Sequence, residues 1–150
     1  MSNGPSANRA PPPPARREPR DPPVRLLIVE DDATVRELLR EWFARGEFGY
    51  IVDVAATGGD ALEAAHRRRP SIVLLDIGLP DFSGLDVLKL VRQLQAAIPV
   101  IVITGTRDLR IAAEAAESGA FAYIPKPVSV AYVENLVAAA LRGGSRKPLS

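Results

Sequence analysis

The sequence predicts an α/β protein built as a doubly wound parallel sheet, and three observations predict it. Short aliphatic runs alternate with segments of helical period five times over. The core-forming part, residues 24–141, has room for one domain within a chain of 150 residues. Most aliphatic runs end in a charged or hydroxylated residue, as strands do when their carboxyl ends line one ligand-binding edge.

The units follow in order. "VRLLIVE" reads as a strand buried on both faces, and Val35, Leu38, Leu39, Trp42 and Phe43 then recur at the spacing of one helical face. All five, Trp42 included, are expected to pack inward. "YIVDVAA" and "GGDALEAAHRRR" form the second unit, and "SIVLLD" and "GLDVLKLVRQLQ" the third, with Leu85, Leu88 and Val91 inward. "PVIVIT" is the fourth strand, followed by a helix over "RDLRIAAEAAESG" that Gly119 stops. "FAYIP" is the fifth strand, and Val133, Leu136, Val137, Ala140 and Leu141 mark the last helix. Both a Rossmann half and the order 2-1-3-4-5 fit five such units. The absence of a glycine-rich phosphate loop after the first strand favours the flavodoxin-like (βα)5 order 2-1-3-4-5.

Composition sets limits. Hydrophobic content of 47% with 25% charged residues suits a soluble globular chain, and no apolar run approaches the roughly 20 residues that span a bilayer. With no cysteine there is no disulfide, thiolate metal site or cysteine nucleophile. The N-terminus lacks the apolar core of a secretory signal, so the cytoplasm is the expected location.

Charge and proline divide the chain. Residues 24–141 carry 12 basic and 16 acidic side chains, whereas the two ends together sum to +5. Eight of the 14 prolines lie in residues 1–23, which reads as a disordered Pro/Arg-rich tail of polyproline II character. Residues 142–150 are expected to be a short basic tail. Nine residues after Leu141 are too few for a folded DNA reader, so no DNA-binding domain is expected.

The strand ends carry the chemistry. The first strand ends in Glu30, Asp31 and Asp32, the third in Asp76, the fourth in Thr104, and the fifth runs into Lys126. In the order 2-1-3-4-5 the first and third strands are neighbours about 5 Å apart. Carboxylates that close recruit a cation or raise one another's pKa, and hard oxygen ligands of this kind suit Mg²⁺. Lys126 supplies a second positive charge, suited to a phosphoryl oxygen.

"LLIVEDD", "IVLLDIGLPDFSGLDVL", "PVIVITG" and "AYIPKP", in that order and at matching intervals, resemble the receiver domain of bacterial two-component response regulators. The resemblance covers residues 24–141. It implies that Asp76 accepts a phosphoryl group from a sensor histidine kinase or histidine phosphotransfer protein. Asp31 would sit directly on Mg²⁺, Glu30 would act more through water, and the carbonyl of Gly78 would complete the protein ligands. Thr104 and Lys126 would bind phosphoryl oxygens, and Tyr123 matches the family's aromatic switch. The Lys126–Pro127 bond is expected to be cis. The output surface would be the fourth helix, fifth strand and fifth helix, engaging a target protein or a second copy.

Each assignment has a plainer rival. Asp31 or Asp32 can simply cap the helix that follows, Lys126 can be an exposed loop lysine, and Tyr123 can be core or edge packing beside Phe121. His66 in "HRRR" suits a helix C-terminus and is given no function. Two other functions also compete. An aspartate-nucleophile phosphatase of the haloacid dehalogenase type would need a second aspartate at position 78, which is glycine. A degenerate receiver would bind partners without phosphorylation, although every phosphorylation residue is present. The chain departs from the usual receiver pattern at Gly78, which offers no side chain to orient an attacking water, and at Ser83, where aspartate is frequent.

Overall fold

The computed structural model describes residues 23–46, 49–81, 83–105 and 107–143. The proline-rich stretch 1–22 and the basic stretch 144–150 lie outside the described residues.

The elements alternate as expected: β1 (Arg25–Val29), α1 (Ala33–Arg45), β2 (Ile51–Ala55), α2 (Gly58–Arg67), β3 (Ile72–Leu75), α3 (Gly84–Leu94), β4 (Val100–Thr104), α4 (Leu109–Glu117), β5 (Ala122–Pro125) and α5 (Val130–Gly143). The last helix continues past Leu141 to Gly143. All strand pairings are parallel and the order is β2-β1-β3-β4-β5, the flavodoxin-like arrangement.

Period-two alternation in the strands divides the core into two layers. Leu26, Ile28, Ile72, Leu74, Ile101 and Ile103 face α1 and α5, meeting Leu39, Phe43, Val133 and Val137. Leu27, Val29, Val73, Leu75, Val100 and Val102 face α2, α3 and α4, meeting Ala61, Ala65, Leu88, Val91 and Ala115. Because both faces of the central strands are covered, these strands are continuously apolar.

The expected inward stripe of α1 is only partly correct. Leu39 and Phe43 are buried and Val35 packs beside them, but Leu38 is 54% exposed and Trp42 is 42% exposed. Among the described residues, α1 and α5 are the helices that pack on this face of the sheet. The row at positions 35, 39 and 43 points at the strands, and the row at 38 and 42, turned about 100° away, stays largely open to solvent. Trp42 is therefore a surface residue.

Gly84 fixes how α3 leaves the β3 loop, since a Cβ there would stand 2.2 Å from Ile77 Cα. Ser83 caps the helix, its Oγ accepting from Leu85 N–H at 3.1 Å. The serine thus fills the capping role open to an aspartate there. No helix among the described residues is long and apolar enough to cross a membrane.

Candidate functional site

Register places the site. Val29 pairs with Leu75, so Glu30 and Asp76 each stand one residue beyond neighbouring strand ends. Asp76 N–H donates to Val29 O at 2.9 Å, and Glu30 N–H donates to Ala55 O at 3.0 Å. Both side chains are buried, as is Thr104 at the end of β4.

Two buried carboxylates need a counter-charge. Lys126 supplies one: its Nζ lies 2.9 Å from Glu30 Oε1 and 3.0 Å from Asp76 Oδ2. The lysine is aimed by its own backbone, with N–H donating to Thr104 O at 2.8 Å, and the Lys126–Pro127 bond is cis as expected. The other oxygen of Asp76, Oδ1, accepts from Gly78 N–H at 2.9 Å. Both carboxylate oxygens of Asp76 are thereby oriented.

The three consecutive acids divide their work. Asp32 is the N-cap of α1, its Oδ1 accepting from Thr34 and Val35 N–H at 2.9 and 3.1 Å. The capping reading is thus the correct one for Asp32. Glu30 turns inward to Lys126 and also accepts from Asp32 N–H at 3.1 Å. Asp31 is exposed, and one carboxylate oxygen from each of Glu30, Asp31 and Asp76 falls within 4.8 Å of the others. Three hard oxygen donors at that separation fit a small divalent cation with open coordination positions.

The charge balance points the same way. Burial lifts the Glu30 carboxyl above its ordinary pKa, the Lys126 bond and the Asp32 amide pull it down, and the Asp76 charge adds to the lift. Burial pulls Lys126 down, but its bonds to Glu30 and Asp76 outweigh this and its pKa is raised. One ammonium among three carboxylates leaves surplus negative charge for a cation to neutralise.

Behind these groups lies an apolar cavity of about 270 Å³ whose lining joins Glu30, Asp76 and Lys126 to Val35, Leu38, Ile103, Val128 and Val130. Tyr123 lies farther along the sheet on β5, paired with Val102, half-buried against the α2–α4 layer. Burial raises its phenol pKa, and the nearby Asp108 charge adds to this.

Two supporting residues were not foreseen. Arg36 Nη1 donates to Glu30 O at 2.9 Å and to Asp31 O at 3.4 Å, holding the acidic loop from α1. Asp81 accepts from Gly58 and Gly59 N–H at 2.8 and 2.9 Å, tying the loop after β3 to the start of α2.

Comparison with known proteins identifies the family. The family description "Response regulator receiver domain" matches residues 26–138. The chain belongs to the response regulator receiver family. The receiver is 35% identical over 108 residues to response regulator MprA of Mycobacterium sp. strain KMS, covering 72% of this chain and 46% of MprA. It is 34% identical over 105 residues to the DNA-binding transcriptional regulator NtrC of Escherichia coli K12, covering 70% of this chain and 22% of NtrC. The chain therefore spans less than half the length of these two relatives. Among solved structures, a CheY-like response regulator receiver protein from Methanospirillum hungatei JF-1 superposes with a TM-score of 0.73 at 30% identity, covering 81% of this chain and 95% of that one. A receiver domain is a signalling module of two-component systems.

Proposed function

We propose that residues 24–141 act as a phosphorelay receiver in which Asp76 takes a phosphoryl group from a phosphohistidine on a sensor histidine kinase or histidine phosphotransfer protein. The observation that carries this reading is the Lys126 ammonium bridging Asp76 and Glu30, with Asp31 beside them. A carboxylate oxygen of Asp76 attacks phosphorus in line, the P–N bond breaks, and its electron pair returns to the imidazole. Lys126 stays within reach of the transferred group and neutralises one of its oxygens, while the Thr104 hydroxyl holds another. Mg²⁺, held by Asp31, Asp76, the Gly78 carbonyl and, through water, Glu30, would supply the remaining neutralising charge. The same groups support hydrolysis of the aspartyl phosphate.

Docking and output use surfaces that flank this edge. Leu38 is exposed and shares a cavity lining with Asp76, which offers an incoming phosphodonor an apolar seat beside the reacting group. Leu109 on α4 and Tyr132 on α5 are exposed large hydrophobic residues, which supports the α4–β5–α5 face as the contact for a target or second copy. A cytoplasmic site of action belongs to the same reading.

Position 78 is glycine and meets Asp76 through its amide, which weighs against the two-aspartate phosphatase. The convergence of Asp76, Lys126 and Asp31 weighs against a degenerate receiver. Intact mass after incubation with Mg²⁺ and acetyl phosphate tests the proposal. Wild type should gain one phosphate and Asp76→Ala none; equal uptake by both would refute it.

A further inference from the structure

A second surface lies on the opposite side of the sheet from α1. α2 and α3 enclose a groove of about 900 Å³ lined by Leu62, Glu63, His66, Arg67, Leu90, Gln93 and Leu94. Leu90 and Leu94, one helical turn apart, are 40% and 49% exposed. They are not needed for the core. Leu85, Val87, Leu88 and Val91 already bury the inner face of α3.

The rim is cationic against the trend of the domain. Residues 24–141 carry a net charge of −4, yet Arg67 in the groove lining is followed directly by exposed Arg68 and Arg69 at the end of α2, and Glu63 is the single acid in the lining. An apolar floor beside a basic rim is poorly suited to nucleic acid, which has no use for two exposed leucines, and a concave groove suits a convex element better than a flat bilayer. We propose that this groove docks an amphipathic helix of another protein, one with apolar anchors at i, i+4 and i+7 and acidic residues along one flank.

Each helix runs back against its strand, so the C-terminal ends of α2 and α3 lie toward the sheet edge opposite Asp76. Occupation of the groove and acceptance of a phosphoryl group at Asp76 are therefore separable, and the docking site stands whether or not Asp76 is phosphorylated.

The test uses the full chain at physiological salt and three fluorescent, side-chain-stapled helices of about 18 residues, about 27 Å long, with the same leucine stripe and flanks of glutamate, glutamine or lysine. The glutamate-flanked helix should bind about tenfold tighter than the lysine-flanked one, an order of magnitude typical of a few complementary rim charges. Amide shifts should map to residues 62–67 and 90–94. Leu90→Ser with Leu94→Ser should weaken binding about tenfold or more, and Arg67→Glu with Arg68→Glu should reverse the flank preference. All these positions are exposed, and circular dichroism checks that each variant keeps its fold. Binding that ignores both pairs of substitutions, or shifts confined to another face, would overturn the proposal. So would leucine-dependent self-association without peptide binding, or tighter binding of duplex DNA or anionic vesicles than of the acidic helix.

Discussion

The ammonium of Lys126 stands 3.0 Å from Asp76 Oδ2, although 50 positions separate the two residues in the chain. The fold brings them together because β3 and β5 flank β4 and all three end at the same edge. Glu30 is held by the same ammonium, so removing it leaves two buried carboxylates side by side.

Lys126→Ala should therefore destabilise the metal-free protein by about 1–3 kcal/mol, the range for stranding buried polar or charged groups when the partner is partly solvated. Added Mg²⁺ should recover part of the loss. Urea unfolding in EDTA and in Mg²⁺ measures both, and equal losses in the two conditions would contradict the role given to surplus negative charge.

Asp31 and Asp32 are adjacent and should behave differently. Asp31→Asn should weaken Mg²⁺ binding about tenfold or more while leaving stability in EDTA nearly unchanged. Asp32→Ala should leave Mg²⁺ affinity within about twofold but cost about 1 kcal/mol through loss of the α1 cap, and Asp32→Asn should restore most of that. Titration calorimetry and unfolding of the three variants separate ligand from cap.

Gly84→Ala should cost about 1–3 kcal/mol or more, because the new methyl meets Ile77 backbone rather than a movable side chain. Gly78→Ala should be mild by comparison, since a Cβ there meets Asp76 Oδ1 at an ordinary 3.6 Å. Urea midpoints of the two variants provide the comparison.

Hydrophobic period and strand-end chemistry made most of this fold legible. The buried strands announce themselves as aliphatic runs, and the groups at the ends of β1, β3, β4 and β5 could be placed on one edge once the strand order was inferred. Trp42 was misjudged because helical period identifies a face about 100° wide but not how many neighbours cover it. Position 42 stays 42% exposed. Asp81 was missed for another reason: its partners are backbone amides of Gly58 and Gly59, and only "TGGD" at a helix start, leaving N–H groups in need of an acceptor, hinted at them. Which of three consecutive acids caps a helix depends on backbone angles that pattern does not carry. For Asp32 these are φ −75° and ψ 115°.

Tyr50 provides a pH dependence away from the acidic site. Its ring packs against Phe43 at a centroid distance of 5.9 Å, and burial raises its phenol pKa above the ordinary 10.0, the Glu134 charge adding to this. The folded state thus favours the neutral phenol. This contribution is fully present below the unfolded value and is lost as pH rises through the higher folded value. The stability advantage of wild type over Tyr50→Phe should be constant from pH 7 to about 9.5 and shrink above pH 10. Urea midpoints across that range check it; an advantage that grows above pH 10 would reverse the sign.

The last prediction concerns how phosphorylation at Asp76 reaches the α4–β5–α5 face. A phosphoryl group adds about −1.5 to −2 charges and strong acceptor oxygens, and Thr104 stands buried at the end of the adjacent strand. Movement of Thr104 toward the phosphoryl group vacates space beside β4. Tyr123, half-buried on β5 and paired with Val102, gains burial by rotating into that space, which offsets its lost rotamer freedom. α4 is poorly anchored against such a change, because Ala115 is its one buried residue. Loading with beryllofluoride should therefore give its largest amide shifts between residues 104 and 135, and Thr104→Ala should abolish them while phosphorylation persists. Tyr123→Phe should retain the shifts, because the rotation depends on buried ring area, and Tyr123→Ala should lose most of those on α4. If Thr104→Ala leaves the α4 shifts intact, Thr104 and Tyr123 are not coupled and the signal leaves by another surface.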